Sequence, residues 1–102
     1  MLGLKDTHLQ AIQSVFKRHK RIERAVVYGS RAKGNYRNGS DIDIALIGEN
    51  LDLSTLLSIE NELDELFLPY KMDIAIFHKI ENPDLLEHIN RDGIVIYEKP
   101  TK

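Results

Sequence analysis

The sequence predicts an α+β fold (mixed α/β), with a single mixed sheet of about four strands and helices packed on it. The predicted element order is α-β-loop-β-α-β-α-β. Short runs rich in β-branched residues alternate with segments whose apolar residues recur at helical spacing, and glycines or prolines separate them. A length of 102 residues allows one domain, over residues 1–102, so all elements are expected to share one core.

The composition excludes several classes of protein. Apolar residues make up 42% and charged residues 29%, a balance typical of a globular domain and not of a disordered chain. Fourteen Lys and Arg against sixteen Asp and Glu give a net charge of -2, so the chain lacks the overall positive field that holds duplex nucleic acid. Without cysteine there is no disulfide or thiolate chemistry, and the four histidines show no paired spacing typical of a zinc site.

Membrane and export signals are also missing from the sequence pattern. No apolar run approaches the roughly 18 residues that a membrane span needs. The first residues form no apolar stretch typical of a signal peptide. We therefore expect a small cytoplasmic protein whose function resides in local motifs.

The first half of the chain predicts one helix and two strands. Thr7 followed by Gln10 has the pattern of a capping box, and apolar residues continue at helical spacing to about residue 19. Residues 24–28 form a short β-rich run that stops at a glycine. A polar stretch over residues 30–40 separates this run from a second predicted strand at 41–47.

The next segment predicts a helix with a broad apolar face. Asp52 or Ser54 is the candidate N-cap, and the helix is expected to run to about Phe67. Residues 71–77 predict a third strand. Because the apolar face covers nearly half of the helix circumference on a thin domain, we expect part of it to continue into a partner interface.

The end of the chain predicts a short helix and a last strand. Asn82 and Pro83 place an N-cap and a proline at the first helical position, and the helix is expected to end near Asp92. Gly93 suits the C′ position after the helix. Residues 94–97 then form the last β-rich run.

Two acidic residues mark the start of the second predicted strand. Asp41 and Asp43 are two residues apart, so on a strand their carboxylates project from the same face. Like charges this close are unfavourable unless a cation lies between them or one is protonated, and Mg²⁺ prefers carboxylate, phosphate and water oxygens. The pair alone fits either a metal-binding strand or a solvated strand face.

A third acid favours the metal site. Residues 72–76 nearly repeat the pattern of residues 42–46, which aligns Asp73 with Asp43. The connecting helix predicts a right-handed crossover between parallel strands, which brings these two acids together. If the polar stretch returns the chain antiparallel, Gly29 and Ser30 meet the same edge of the sheet.

The residues around this edge suit a nucleoside triphosphate. Gly29 permits close approach of the backbone to a phosphate, and Ser30 supplies an amide and a hydroxyl donor. The following loop carries Arg31, Lys33 and Arg37 without an acid, and Arg31 is the favoured phosphate contact because it follows Ser30 directly. Three carboxylates beside a triphosphate predict in-line attack on phosphorus, with the third acid as the base for the incoming hydroxyl.

Gly29 and Ser30, ten residues, then Asp41-Ile42-Asp43 match the G-S-x10-D-x-D signature of the DNA polymerase β-like nucleotidyltransferase superfamily. The chain resembles its minimal nucleotidyltransferase (MNT) branch, and the ending over residues 82–97 is also similar to that branch. The resemblance implies that Asp41 and Asp43 bind Mg²⁺ and that Asp73 is the third acid. It also implies that Gly29 and Ser30 hold the triphosphate of ATP.

Members of the MNT branch are commonly paired with a HEPN-domain partner as a toxin–antitoxin system. The resemblance implies an antitoxin that transfers AMP from ATP to a tyrosine of the HEPN ribonuclease toxin, within a hetero- or homo-oligomer. A catalytically vestigial antitoxin that neutralises its partner by binding alone is the main alternative. A small-molecule nucleotidyltransferase is less favoured, because related enzymes of that kind carry an added domain for the acceptor.

Overall fold

A computed structural model describes residues 2–37 and 39–100, so Met1, Asn38 of the predicted polar stretch, Thr101 and Lys102 lie outside the described part of the predicted domain. Within those two ranges the chain forms four α-helices, one 3₁₀ turn and four strands. Their bounds are α1 Asp6–Lys17, β1 Arg24–Tyr28, α2 Ser30–Lys33, β2 Ile42–Ile47, α3 Leu53–Asp64, β3 Met72–Ile76, the 3₁₀ turn Phe77–Lys79, α4 Pro83–Asp92 and β4 Ile94–Glu98. None of the helices in the described ranges is long and apolar enough to cross a membrane.

The four strands form one mixed sheet in the order β3-β2-β1-β4. Strand β1 pairs antiparallel with both β2 and β4, whereas β2 and β3 are parallel. The element order, the antiparallel return from β1 to β2 and the parallel crossover through α3 are all as predicted. The α+β fold class is therefore confirmed.

The sheet is covered on both faces by different helices. Alternate side chains of β1 and β2 join a large cluster with α1 and α3, in which Phe16 and Ile59 are fully buried. The opposite face of the same strands packs against α4, where Val26, Ala45 and Ile89 form a smaller buried cluster. The α4 face is the one that carries the acidic residues described below.

The capping box predicted at Thr7 is wrong. Helix α1 begins two residues earlier than that cap implies, at Asp6, with Lys5 in an extended conformation at the N-cap and no side-chain capping hydrogen bond. Leu2 and Leu4 are buried in the core, and this anchoring fixes the direction in which the chain enters the helix. Asp6 then lies in the first turn, where its charge favours the helix dipole.

Helix α3 begins as predicted and ends early. The Asp52 carboxylate caps it by accepting a 2.8 Å hydrogen bond from the Thr55 amide. The helix ends at Asp64 rather than near Phe67, because Phe67 takes a positive φ of 52° and leaves the helical path with 90% of its surface exposed.

Gly93 ends α4 for a different reason from the one predicted. Its backbone is extended (φ -63°, ψ 145°) and not left-handed. A Cβ at this position would collide with the Ile89 carbonyl oxygen and with Val26 of β1. Glycine is therefore required by the close approach of α4 to the sheet, and not by a left-handed C′ conformation.

Candidate functional site

The candidate site lies where β1 ends and where β2 and β3 begin. Asp43 and Asp73 are direct register partners in the parallel pairing of β2 with β3, as the repeated sequence pattern predicted. Both project from the sheet face on which Ala45 packs against α4. Asp41 is exposed and lies one residue before β2, which corrects the predicted start of that strand.

Electrostatics show that the three carboxylates lie within range of one another. The pKa of Asp43 is raised, first by its partial burial and then by the negative charges of Asp73 and Asp41. The pKa of the Tyr28 hydroxyl is raised as well, by burial and by the charges of Asp43 and Asp73. Tyr28 is the register partner of Asp43 in β1, so its ring belongs to the same cluster.

The donor set fits a hard divalent cation. In the described ranges no three acidic or histidine side chains already converge on one point as metal ligands. The three carboxylates do repel one another, and a cation between them would remove the repulsion that raises the pKa of Asp43. Carboxylate oxygens are also the ligands that Mg²⁺ takes together with phosphate oxygens.

Gly29 makes room for the central carboxylate. It follows β1 directly with φ 77° and ψ -152°, a backbone conformation that favours glycine. A Cβ on Gly29 would collide with Oδ2 of Asp43. The absence of a side chain therefore lets the Asp43 carboxylate lie against the turn that leads into Ser30 and α2.

The backbone amide of Gly29 already has a partner. It donates a 2.9 Å hydrogen bond to Nε2 of His88, which lies on α4. The Ser30 amide and hydroxyl are thus the candidate donors to a phosphate, rather than the amide of Gly29. His88 has no metal-ligand spacing in the sequence, and its only local signal is Asp92 four residues later on the same helix face.

Arg31 is placed differently from what its position after Ser30 predicted. Its side chain is buried, with 4% exposed. Its Nε and Nη2 atoms donate to the Ser40 carbonyl at 3.3 and 2.8 Å, and Nη1 donates to the Leu2 carbonyl at 3.0 Å. This placement argues against the predicted phosphate contact, because the guanidinium is committed to backbone carbonyls at the end of the loop and in the N-terminal segment.

Two tyrosines complete the surroundings of Arg31. The guanidinium carbon lies 5.1 Å from the ring centre of Tyr36 and 5.4 Å from that of Tyr70. Ser40 directly precedes Asp41, so the hydrogen bonds from Arg31 to the Ser40 carbonyl fix the end of the loop from which the acidic segment starts. The neighbouring loop cations Lys33 and Arg37 are exposed.

We expect Arg31→Met to lower the free energy of unfolding by about 2–4 kcal/mol, because it leaves the buried Leu2 carbonyl and the part-buried Ser40 carbonyl without their charged donor. The free energy of unfolding of Arg31→Lys should lie between those of Arg31→Met and the wild type, since an ammonium cannot reproduce the forked geometry of the guanidinium. Urea unfolding measures both, with Arg37→Met as the exposed control. Wild-type stability in Arg31→Met would contradict the assigned role.

Asp43→Asn is expected to raise the free energy of unfolding at pH 7 by about 0.2–1 kcal/mol, the range for a like-charge pair across neighbouring strands. The folded-state pKa of Asp43 is raised, so the ionised carboxylate costs stability. This cost develops as the pH rises from the ordinary carboxyl pKa through the raised value. Urea unfolding in EDTA from pH 3 to 7 checks the sign, with the exposed Asp64→Asn as control.

Comparison with known proteins now places this geometry in a family. The model of the polymerase beta nucleotidyltransferase family matches residues 10–102. The chain belongs to this family, and it is a nucleotidyltransferase. Two proteins of Methanocaldococcus jannaschii, each named "Putative protein adenylyltransferase" (MJ1217 and MJ0126), are 31% and 30% identical over 96 residues, which covers 86% of this chain and 97% of theirs.

Several solved structures with a similar fold are described as toxin–antitoxin complexes. A chain of a toxin–antitoxin crystal structure with AMP-PNP superposes with a TM-score of 0.70 at 16% identity, covering 94% of this chain and 75% of that chain. A chain of the complex of tri-AMPylated Shewanella oneidensis HEPN toxin with MNT antitoxin gives a TM-score of 0.69 at 14% identity, covering 94% and 74%. At these identities the likeness shows the fold.

Proposed function

We propose that this chain is a Mg²⁺-dependent protein adenylyltransferase that transfers AMP from ATP to a tyrosine hydroxyl of a HEPN-domain toxin and thereby acts as its antitoxin. The observation that carries the proposal is the meeting of Asp43, Asp73 and Gly29 at one edge of the sheet. The names of the similar archaeal proteins and of the structural neighbours support the reaction and the partner.

In the proposed reaction the three carboxylates would hold the metal, and one of them also acts as the base. Asp41 and Asp43, with Asp73 as the third carboxylate, would hold Mg²⁺, which when bound neutralises phosphate charge and orients the triphosphate. Ser30 donates to the phosphate chain from the turn after β1. Asp73, which is exposed, accepts the proton of the incoming hydroxyl. The hydroxyl oxygen bonds to the α-phosphorus while the bond to the β-phosphate breaks, and pyrophosphate leaves.

An exposed apolar face supports the proposed partner interface. Leu53 and Leu57 of α3 are 61% and 51% exposed, and Phe67 beyond the helix is 90% exposed. Leu53 and Leu57 continue the apolar face of α3 whose inner residues, Ile59 and Leu63, are buried, and Phe67 adds an exposed apolar side chain after the end of the helix. A HEPN partner that covers this face would form the hetero-oligomer, and the reaction with ATP would take place in the cytoplasm.

The proposal is tested with purified protein, lysate of the source organism, Mg²⁺ and ATP labelled at the α-phosphate. We expect a labelled protein band that disappears with EDTA and with the Asp41→Asn, Asp43→Asn double variant. ATP labelled at the γ-phosphate is the matched control, and adding the wild-type protein should give no γ-labelled band beyond those that lysate kinases produce with the double variant, because pyrophosphate leaves. Mass spectrometry of the α-labelled band should find AMP on a tyrosine of a HEPN protein. A γ-labelled band that depends on the wild-type protein, or no α-labelled band that does, would contradict AMP transfer.

A second candidate function is an antitoxin that acts by contact alone. It is favoured by the exposed apolar face, which can bind a partner without any transfer of AMP. Co-expression with the toxin separates the two functions. Full protection of cells by the Asp41→Asn, Asp43→Asn double variant would favour contact alone, whereas loss of protection with the complex intact would favour AMP transfer.

A further inference from the structure

We propose that His88 is a positioning residue of the nucleotide site, which as a neutral imidazole with its proton on Nδ1 holds the Gly29–Ser30 turn by accepting the Gly29 amide. The inference rests on the proposed function, in which this turn binds the triphosphate. It adds a residue from α4 to a site whose other residues lie in the turn after β1, at the start of α2, and at the beginnings of β2 and β3.

The hydrogen bonds fix the tautomer of His88. A backbone amide only donates, so the Nε2 atom that lies 2.9 Å from the Gly29 nitrogen must be the unprotonated nitrogen of the ring. The remaining proton is then on Nδ1, which lies 3.1 Å from Oδ2 of Asp92 and donates to it. A proton on Nε2 would place two donors against each other at the turn.

Asp92 is itself held in place by Arg91. The Arg91 Nε and Nη2 atoms donate to Oδ2 of Asp92 at 3.2 and 3.1 Å. These bonds, followed by the one from His88, lower the pKa of Asp92, so the carboxylate accepts from His88 throughout the neutral range. The Gly29 amide therefore donates to the imidazole ring and the ring donates to Asp92, which also accepts from Arg91.

The ring is also fixed by packing. The His88 side chain is only 15% exposed, and its ring meets that of Tyr28 edge to face with centres 6.2 Å apart. Tyr28 immediately precedes Gly29 in the chain. Two contacts from one histidine thus fix both the last residue of β1 and the first residue of the turn.

The position of this bond bears on nucleotide binding more than on folding. Gly29 lies beyond the last register pair of β1, Tyr28 with Asp43, so its amide depends on a side chain for a partner. With that amide satisfied by His88, the direction of the peptide that leads into Ser30 is set before a phosphate arrives. Loss of this preorganisation should weaken binding of MgATP.

The test compares His88→Ala and His88→Gln with wild type, and uses the exposed His78→Ala as the matched control. Nitrogen-15 NMR of the histidine rings should find an unprotonated Nε2 and a protonated Nδ1 at His88. Exchange of the Gly29 amide proton should quicken in His88→Ala, and the Kd for MgAMP-PNP should rise about fivefold to tenfold. Glutamine, whose amide oxygen can accept in place of Nε2, should bring the Kd back to within about twofold, and His78→Ala should not change it.

The outcomes distinguish a failure of the proposed role of His88 from a failure of the proposed function. Protonated Nε2 in wild-type His88, or equal nucleotide affinity in wild type and a folded His88→Ala, would overturn the role of His88 and leave the proposed function intact. A wild-type protein that binds no MgAMP-PNP would overturn both. If His88→Ala does not fold, the tautomer in wild type and the Kd of His88→Gln decide, because a Kd for His88→Gln raised beyond tenfold would also overturn the inference.

Discussion

Replacing Asp41 and Asp43 together by asparagine is expected to slow AMP transfer at least about a thousandfold. The substitution removes the negative charge of two of the three carboxylates at the edge of the sheet, which are two of the three proposed ligands of Mg²⁺. A catalytic metal supplies several kcal/mol of charge stabilisation in the transition state, and each 1.4 kcal/mol corresponds to a factor of ten in rate. The fold should remain, since Asp41 is exposed and Asp43 is under electrostatic strain in the wild type.

The measurement is the initial rate of pyrophosphate release at saturating ATP and Mg²⁺. The acceptor is the unmodified form of the protein that the labelled band identifies. Asp64→Asn with Glu65→Gln is the matched control, because it removes two negative charges that are exposed at the end of α3. The control should transfer AMP at the wild-type rate within about twofold. A double variant of Asp41 and Asp43 that retains a tenth of the wild-type rate would exclude these carboxylates from the reaction.

The acidic part of the site could be predicted because it follows from local pattern and topology. The similar segments 42–46 and 72–76 lie on either side of one helix, and right-handed crossovers pair such strands in parallel. A parallel register then places equivalent positions opposite each other, which is how Asp43 meets Asp73. Gly29 and Ser30 reach the same edge because β1 runs antiparallel to β2.

The supporting residues could not be predicted in the same way, because their partners are distant in the sequence. The sequence shows Arg31 as a loop cation beside Ser30, and only the folded chain brings the Leu2 carbonyl, 29 residues away, to its guanidinium. His88 likewise meets an amide 59 residues away. Such contacts depend on how α4 and the N-terminal segment pack against the rest of the chain, which periodicity does not specify.

The features that begin and end the helices were also predicted incorrectly in part. Glycine at position 93 indicated the end of α4 correctly, but close packing against Val26 explains it rather than a left-handed backbone. The predicted capping box failed since burial of Leu4 and its neighbours outweighs a capping contribution of about 1 kcal/mol. Tertiary packing therefore decided the ends of elements whose existence the sequence predicted correctly.

Gly29→Ala is expected to reduce AMP transfer at least about a hundredfold and to lower the free energy of unfolding by about 2–4 kcal/mol. An alanine at this position would be strained by the positive φ of 77°, and its Cβ would also collide with the Oδ2 atom of Asp43. Gly34 offers a control without the collision, since its φ of 83° and ψ of 4° are ordinary left-handed values and a Cβ there would meet nothing within 4 Å. Gly29, with ψ -152°, lies in a region that only glycine adopts readily, so its own backbone strain is the larger of the two. Gly34→Ala should therefore cost only the backbone strain, about 1–2 kcal/mol, and leave transfer nearly unchanged.

A double-mutant cycle identifies the source of the Gly29→Ala effect. If the collision with the carboxylate causes the additional loss of stability, Asp43→Ala should restore most of it in the Gly29→Ala background, so that the two effects are not additive. Transfer should stay abolished, because the restored protein lacks Asp43. Urea unfolding of the four proteins supplies the cycle, and pyrophosphate release supplies the rates. Additive effects of Gly29→Ala and Asp43→Ala on stability would show instead that backbone strain alone requires glycine at position 29, and that the turn does not depend on contact with the acidic cluster.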